Sequence, residues 1–152
     1  MARIKIEMPR HFTFSTELPV RISDINYGGH LGNDAVLAMV HEARVQFLKQ
    51  YQYGELDIEG LGLIMTDTAI VYKAEGFHGD QVQIDVGIGD FNKYGCDFYF
   101  LLSNRKSAVE IAHAKTGVVF FDYEQRKVVA IPDALKTKFV TLTAVSYTHL
   151  TL

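Results

Sequence analysis

One helical pattern stands alone in a chain whose other segments alternate like β-strands, and this feature constrains the fold most. Apolar residues recur at i, i+4, i+7 and i+11, the spacing of one helix face; they are Val36, Val40, Ala43 and Phe47. Asn33 is a good N-cap, and the helix is predicted to end between Gln50 and Gly54. Such a helix must bury its apolar face, so the rest of the chain must supply one sheet.

The remaining segments have the alternation and the β-branched content of strands. Predicted strands cover residues 12–22 (with a break at Pro19), 63–74, 82–88, 96–102, 109–123 and 127–131, and one helical turn follows Pro132. Short turns join three of these strands, and short turns connect antiparallel rather than parallel neighbours. The order β–α–β–β–β–β therefore predicts an α+β fold in which a curved antiparallel sheet wraps around one long central helix.

Size and charge narrow the class of protein. The 152 residues, 48% of them hydrophobic, suffice for one core, so residues 1–139 are predicted to form a single domain. Residues 140–152 carry no Asp, Glu, Lys or Arg and no pattern that connects them to the fold, which marks them as a C-terminal extension of uncertain origin. The net charge of −3 argues against nucleic acid as a partner.

The sequence also bears on location. Cys96 is the only cysteine, so no disulfide forms within the chain and a reducing compartment fits. The N-terminal segment has no apolar signal region, and the longest stretch without charged residues, 139–152, is too short to span a bilayer. The prediction is a cytoplasmic protein without a membrane span.

A glycine-rich loop at residues 23–33 (SDINYGGHLGN) leads into the helix. Glycines let backbone N–H groups approach a ligand closely, and a helix start adds unpaired N–H groups and a positive dipole end. The loop therefore predicts a substrate-binding site at Gly29, Gly32 and Asn33. The alternative is a turn that only admits the chain to the helix.

This loop is one of several motifs spread over the domain. The others are Val20-Arg21-Ile22-Ser23-Asp24, Glu42-Ala43-Arg44, Phe77-His78-Gly79-Asp80, Phe120-Phe121-Asp122 and Ile131-Pro132. With this set, roughly residues 12–136 resemble the hot-dog-fold acyl-CoA thioesterases of the 4-hydroxybenzoyl-CoA thioesterase type. The resemblance implies a hot-dog fold, hydrolysis of an acyl-CoA thioester without a cofactor, and a homodimer or homotetramer of hot-dog subunits.

One position departs from that family. The family loop typically reads Asp-x-Asp, and its second aspartate acts as nucleophile or general base, whereas this chain has Asn26 there. An amide neither takes up a proton nor attacks a thioester at neutral pH. Other hot-dog thioesterases have asparagine in this loop and use a carboxylate elsewhere, often on the helix of one subunit.

Four residues are candidates for catalysis, each with a simpler structural explanation. Asn26 orients the water or the thioester carbonyl, or else caps its own loop in an Asx-turn. His30 transfers a proton, or else supports the loop. Glu42 is the preferred candidate for the missing carboxylate, although an exposed helix carboxylate paired with Gln46 is the commoner case. Asp24 is an alternative base.

Other residues are candidates for contacts with coenzyme A. Lys73 and Lys93 lie at predicted strand ends, where they are expected to meet its phosphates. No zinc, dinucleotide or phosphate-loop motif occurs, so no metal is predicted. The remaining histidines are interpreted as ordinary surface or core residues; they are His11, His41, His78, His113 and His149.

Two other functions stay open. Because Asn26 replaces a carboxylate, the chain is alternatively a non-catalytic domain that binds acyl-CoA or a partner protein. A hydratase or dehydratase is the less favoured third interpretation, since that branch of the fold pairs a histidine with a carboxylate and its fuller helix motif is missing.

Overall fold

A computed structural model describes residues 3–140 of the chain and confirms the order of elements. The strands are β1 (Phe14–Pro19), β2 (Gly62–Tyr72), β3 (Gln81–Gly89), β4 (Gly95–Asn104), β5 (Glu110–Asp122) and the short β6 (Lys127–Val128). Helix α1 (Asn33–Lys49) separates β1 from β2, and residues 133–140 are helical. The predicted extension at 140–152 lies, apart from its first residue, outside the described residues.

The strands form one antiparallel sheet in the order β1-β3-β4-β5-β2, with β6 paired to the far end of β5. The predicted meander is confirmed, because β3, β4 and β5 are antiparallel neighbours along the chain and in space. Strands β1 and β2 lie at opposite edges. Within residues 3–140, strand β2 is paired with β5 on one side only, and its 11 residues leave a long open edge on the other.

Helix α1 buries one face against the sheet. Its fully buried residues include Val40, Ala43 and Phe47, and Phe47 meets the Phe98 ring of β4 edge-on at a centroid distance of 5.7 Å. Burying a side chain of this size contributes about 1.5–3 kcal/mol. The predicted apolar stripe is therefore the core face of the helix, and the helix is fixed in rotation on the sheet.

The helix boundaries differ from the prediction by one residue. Gly32, not Asn33, is the N-cap: its backbone is extended (φ −76°, ψ 155°), and its carbonyl accepts the first helical hydrogen bond from Val36. Glycine brings no side chain to cap the first turn, so the N–H groups at the helix start have no side-chain cap in the described part of the chain.

Two flanks of α1 lie on either side of its buried face. The β1 flank carries Ala35, Ala38, Met39 and Glu42, which line a cavity together with the end of β1. The β2 flank carries Asn33, Leu37, His41 and Arg44. It faces β2, since Asn33 shares a cavity with Tyr72 and the Arg44 side chain bonds Glu55, whose carbonyl accepts from Leu63 of β2.

Candidate functional site

The loop before α1 is held in one conformation by its own hydrogen bonds. A 3₁₀ turn at Ile22–Asp24 opens it, and Ile25 then pairs with Leu31. The Leu31 N–H donates to the carbonyl of Gly76, which fixes the loop to the segment after β2. Gly29 has φ +87°, in the left-handed region where glycine is favoured. The loop therefore lies at the Tyr72 end of β2.

Asn26 uses its carbonyl oxygen inside the loop. Its Oδ1 accepts from the N–H of Gly28 at 2.9 Å and from that of His30 at 3.4 Å, the Asx-turn arrangement. Because both neighbours are donors, the amide nitrogen Nδ2 points elsewhere, and no partner binds it within the described residues. The side chain is half-buried at the cavity wall. Asn26 can therefore offer N–H donors to a ligand, but no base.

The three backbone N–H groups predicted to bind substrate differ in whether they already donate a hydrogen bond within the chain. The Gly29 N–H donates to the carbonyl of Asn26, and the Gly32 N–H donates to that of Asp24, both at 3.0 Å. The Asn33 N–H, at the first position of α1, has no acceptor in the described part of the chain. This N–H lies at the positive end of the helix dipole, where a negatively charged oxygen is favoured.

A cavity of about 530 Å³, called the main cavity because it holds more of the predicted residues than the cavity on the β1 flank, is lined by four of them. It is lined by Asn26, Tyr27, His30, Leu31, Asn33, Tyr72, Lys73, Ala74 and Glu75. The His30 Nε2 lies 3.8 Å from the Glu75 carboxylate, a loose ion pair at the rim. Lys73 is exposed beside it. The cavity lining thus combines the amide donors of the loop with an imidazole, a lysine and a carboxylate.

The two acids among the predicted residues line a different cavity. Asp24 and Glu42 border a space of about 370 Å³ on the β1 flank. The Asp24 carboxylate accepts from the backbone N–H of Arg21 at 2.8 Å and from its guanidinium at 3.3 Å. Burial would raise the pKa of Asp24, but these hydrogen bonds and the Arg21 charge outweigh it and lower the pKa. Glu42 accepts from Gln46 at 2.7 Å.

Three predicted residues line neither cavity, namely Gly29, Gly32 and Lys93. Lys93 is in the turn between β3 and β4, with its ammonium 5.3 Å from the centre of the Tyr94 ring. Conversely, Tyr27, Tyr72 and Glu75 line the main cavity without having been singled out in the sequence. Tyr27 at the loop tip is fully exposed. An aromatic residue within a glycine-rich loop was the available signal for it.

Within residues 3–140, no three side chains of His, Cys, Asp or Glu are grouped to hold a metal ion. In the same part of the chain, no helix is long and apolar enough to cross a membrane. The Asn33 N–H and the Asn26 amide nitrogen can donate hydrogen bonds to an oxygen that gains negative charge, and acyl transfer requires such donors.

Comparison with known families gives one match. The model of the thioesterase-like superfamily matches residues 20–139, which include the loop, α1 and strands β2 to β6. No curated protein matches the chain.

Solved structures share the fold at low sequence identity. A 1,4-dihydroxy-2-naphthoyl-CoA thioesterase from Synechocystis is 22% identical, with 84% of this chain and 95% of that chain covered and a TM-score of 0.75. A thioesterase-superfamily protein from Jannaschia sp. CCS1 is also 22% identical, with 90% and 86% covered and a TM-score of 0.79. A probable thioesterase from Escherichia coli is 19% identical, with 84% and 96% covered and a TM-score of 0.73. The α+β architecture is thus the hot-dog fold.

Proposed function

The chain belongs to the thioesterase-like superfamily, and we propose that it hydrolyses an acyl-CoA thioester to a free acid and coenzyme A. The observation that carries this proposal is the unengaged N–H of Asn33 at the start of α1. Asn33 lines the 530 Å³ cavity together with Asn26, whose amide nitrogen is a second donor. A thioester carbonyl bound there would gain negative charge next to the positive end of the helix dipole.

Three residues of the cavity, Asn33, Asn26 and His30, have roles in the reaction under this proposal. The Asn33 N–H binds the carbonyl oxygen and stabilises the oxyanion of the tetrahedral intermediate. The Asn26 Nδ2, freed by the Asx-turn, donates to the attacking water or to the same oxygen and so positions the reactants. His30, in its loose pair with Glu75, is a candidate for proton transfer at the rim. The predictions for Asp24, Glu42, Gly29 and Gly32 stay predictions.

The coenzyme A part of the bound substrate would extend out of the cavity across its exposed rim. The pantetheine arm passes the Tyr72 ring, which is 50% exposed. Lys73 offers a cation to the phosphates, and the exposed Tyr27 ring offers a flat surface to the adenine. Lys93 is too far along the sheet to share this cavity, so its contact with a phosphate stays a separate prediction.

The proposed enzyme is a homodimer formed through β2. This strand has an open edge of 11 residues, and its helix-side residues Met65, Thr68 and Tyr72 are exposed. A long unpaired edge is a template for pairing with another strand. A second copy placed antiparallel along β2 would continue the sheet and close one side of the 530 Å³ cavity. Sedimentation at micromolar concentration should give twice the chain mass of 17.1 kDa, and a fully active monomer would contradict this.

A panel of acyl-CoA esters with a free-thiol readout tests the activity itself. Short, long and aromatic acyl groups are included, because the identity of the acyl group is not fixed by the cavity of one chain. We expect thiol release above the rate without protein for at least one ester. No release for any of them would overturn the proposal.

A non-catalytic acyl-CoA-binding domain is the second candidate, and Asn26 in place of a carboxylate favours it. Calorimetry on the same panel separates the two. Tight binding of an ester that is recovered intact supports the binding domain, whereas release of coenzyme A during the titration supports the thioesterase.

A further inference from the structure

The β2 flank of α1 carries a hydrogen-bonded histidine that the main cavity does not use. The His41 Nε2 lies 2.8 Å from Oε1 of Glu55, and the other oxygen of Glu55 accepts from the Arg44 Nε at 2.7 Å. The Arg44 side chain is only 7% exposed, whereas that of His41 is 59% exposed. The buried Arg44 guanidinium thus positions the Glu55 carboxylate, and this carboxylate positions the exposed His41 imidazole.

The carboxylate in this chain of contacts is anionic at neutral pH. Burial would raise the pKa of Glu55, but the hydrogen bonds from Arg44 and His41 and their charges outweigh it and lower the pKa. An anionic Glu55 accepts a proton-bearing Nε2, which leaves the lone pair of the His41 Nδ1 directed away from the carboxylate. An imidazole oriented in this way by a carboxylate is the arrangement of a general base.

Within one chain this imidazole is far from the cavity. His41 follows Asn33 by eight residues, about 12 Å along the helix axis. The helix and β2 run in opposite directions: Asn33 lies by Tyr72 at the end of β2, whereas Glu55 bonds Leu63 at its beginning. The cavity and the imidazole therefore lie at opposite ends of the same strand.

Antiparallel pairing of two β2 strands brings these ends together. The strand spans 62–72, so a two-fold axis near its centre places the Tyr72 end of one copy beside the Gly62 end of the other. The cavity of each copy then faces the His41–Glu55 pair of the second copy. Exposed apolar side chains surround that pair, namely Leu37 (47%), Val45 (38%) and Leu56 (73%), and a second copy would cover them.

We propose that His41, oriented by Glu55, is the general base for the cavity of the neighbouring copy in a β2-paired dimer, which rests on the thioesterase function proposed above. The His41 Nδ1 takes a proton from water while the water oxygen bonds to the thioester carbon. The carbonyl π electrons move onto the oxygen held by Asn33 of the other copy. When the intermediate collapses, the C–S bond breaks and the leaving sulfur takes the proton from Nδ1.

Replacing His41 by glutamine tests the role of the imidazole. The side chain is exposed, so the variant should fold and dimerise as before. The expected loss in kcat is about 10²- to 10⁴-fold, the usual contribution of a positioned base. His113→Gln is the matched control, since His113 also pairs with a glutamate, Glu110 at 2.6 Å, but on β5 and away from both cavities. It should keep the wild-type rate.

Mixing two defective variants tests whether the site is shared. Asn33→Pro removes the proposed oxyanion donor, and His41→Gln removes the proposed base. After unfolding and refolding at equal amounts, half of the dimers hold one copy of each, and each of these has one intact site. Activity should recover to about a quarter of wild type, as expected for random assembly of a two-fold dimer.

The outcomes separate this proposal from the function on which it rests. No turnover by the wild-type protein removes the thioesterase function itself. Turnover that His41→Gln leaves unchanged overturns the role of His41 and leaves the thioesterase standing. A slow His41→Gln variant that mixing does not rescue overturns the shared site. Rescue to about a quarter supports the proposal in full.

Discussion

The two flanks of helix α1 differ in how far their polar groups are paired within the chain. On the β1 flank, Asp24 and Glu42 have partners within the chain: Arg21 binds one and Gln46 the other. On the β2 flank, the Asn33 N–H has no acceptor in the described residues, and the His41 ring is exposed on its carboxylate support.

This difference shows why a carboxylate near a loop is weak evidence for a general base. A carboxylate that accepts two or three hydrogen bonds and faces a guanidinium is stabilised as an anion and takes up a proton less readily. Asp24 is in that position. A hydrogen-bond donor that has no acceptor beside a cavity costs stability in the free protein, and a bound substrate can supply the missing acceptor. The β2 flank has such groups.

Apart from His41→Gln, Asn33→Pro is expected to have the largest effect, because it removes a backbone donor that has no acceptor within residues 3–140. Proline is tolerated at the first position of a helix, and the extended backbone of Gly32 suits a following proline. The fold should persist while kcat falls about 10²- to 10³-fold, the usual cost of one oxyanion donor. Thiol release under saturating substrate measures it.

Asn33→Ala is the matched control, since it keeps the backbone N–H and deletes only the side chain. Its kcat should stay within about threefold of wild type if the backbone carries the effect. Equal losses in the alanine and proline variants would assign the role to the side chain instead.

The elements of the fold were predictable because their signals are local. The stripe at Val36, Val40 and Phe47 predicted α1 to within about one residue at its start, and Pro19 marked the end of β1. The N-cap was shifted to Gly32, and the first and last strands are shorter than the predicted ranges 12–22 and 127–131. Alternation and short turns then predicted the meander, whose neighbours are consecutive in the chain.

The division of the site into two flanks could not be predicted in the same way. Successive helix residues differ by about 100° around the axis, so His41 and Glu42 point to different sides. Which side faces β2 depends on how Phe47 and its neighbours sit on the sheet. Glu55 joins His41 from a loop 14 positions later that has no regular period. The rotation of the helix and the contact with Glu55 are both set by tertiary packing and not by the local sequence pattern.

Glu55→Gln should be the largest perturbation of stability on the β2 flank. Its carboxylate bonds the buried Arg44 and the exposed His41, and charged hydrogen bonds of this kind contribute about 1.5–3 kcal/mol. The free energy of unfolding in urea should fall by that amount. If His41 acts as proposed, kcat should fall as well. A stability loss with an unchanged kcat would assign the pair a structural role only.

Asp24→Asn should reduce stability on the β1 flank by a smaller amount that depends on pH. The pKa of Asp24 is lower in the folded state, so its contribution is complete above its unfolded pKa, about 4, and is lost as pH falls through the folded value. At pH 7 the Tm should drop by about 2–4 °C. Thermal melts should show this difference shrinking below about pH 4, and a constant difference would contradict the Arg21 pairing.

Glu42→Gln should have the smallest effect, although the family resemblance makes Glu42 the preferred base. The side chain is exposed, and it bonds Gln46 on the flank that faces away from the Asn33 cavity. An i,i+4 pair of this kind contributes only a few tenths of a kcal/mol, and glutamine can still bond Gln46. We expect kcat within about threefold of wild type, against the roughly 10²- to 10⁴-fold loss that removal of a base would give. A loss of about 10²- to 10⁴-fold would instead identify Glu42 as the base. The β1 flank of one copy would then have to face the Asn33 cavity of the second copy. The same measurement on His41→Gln, made in parallel, therefore decides which of two adjacent helix residues serves the reaction.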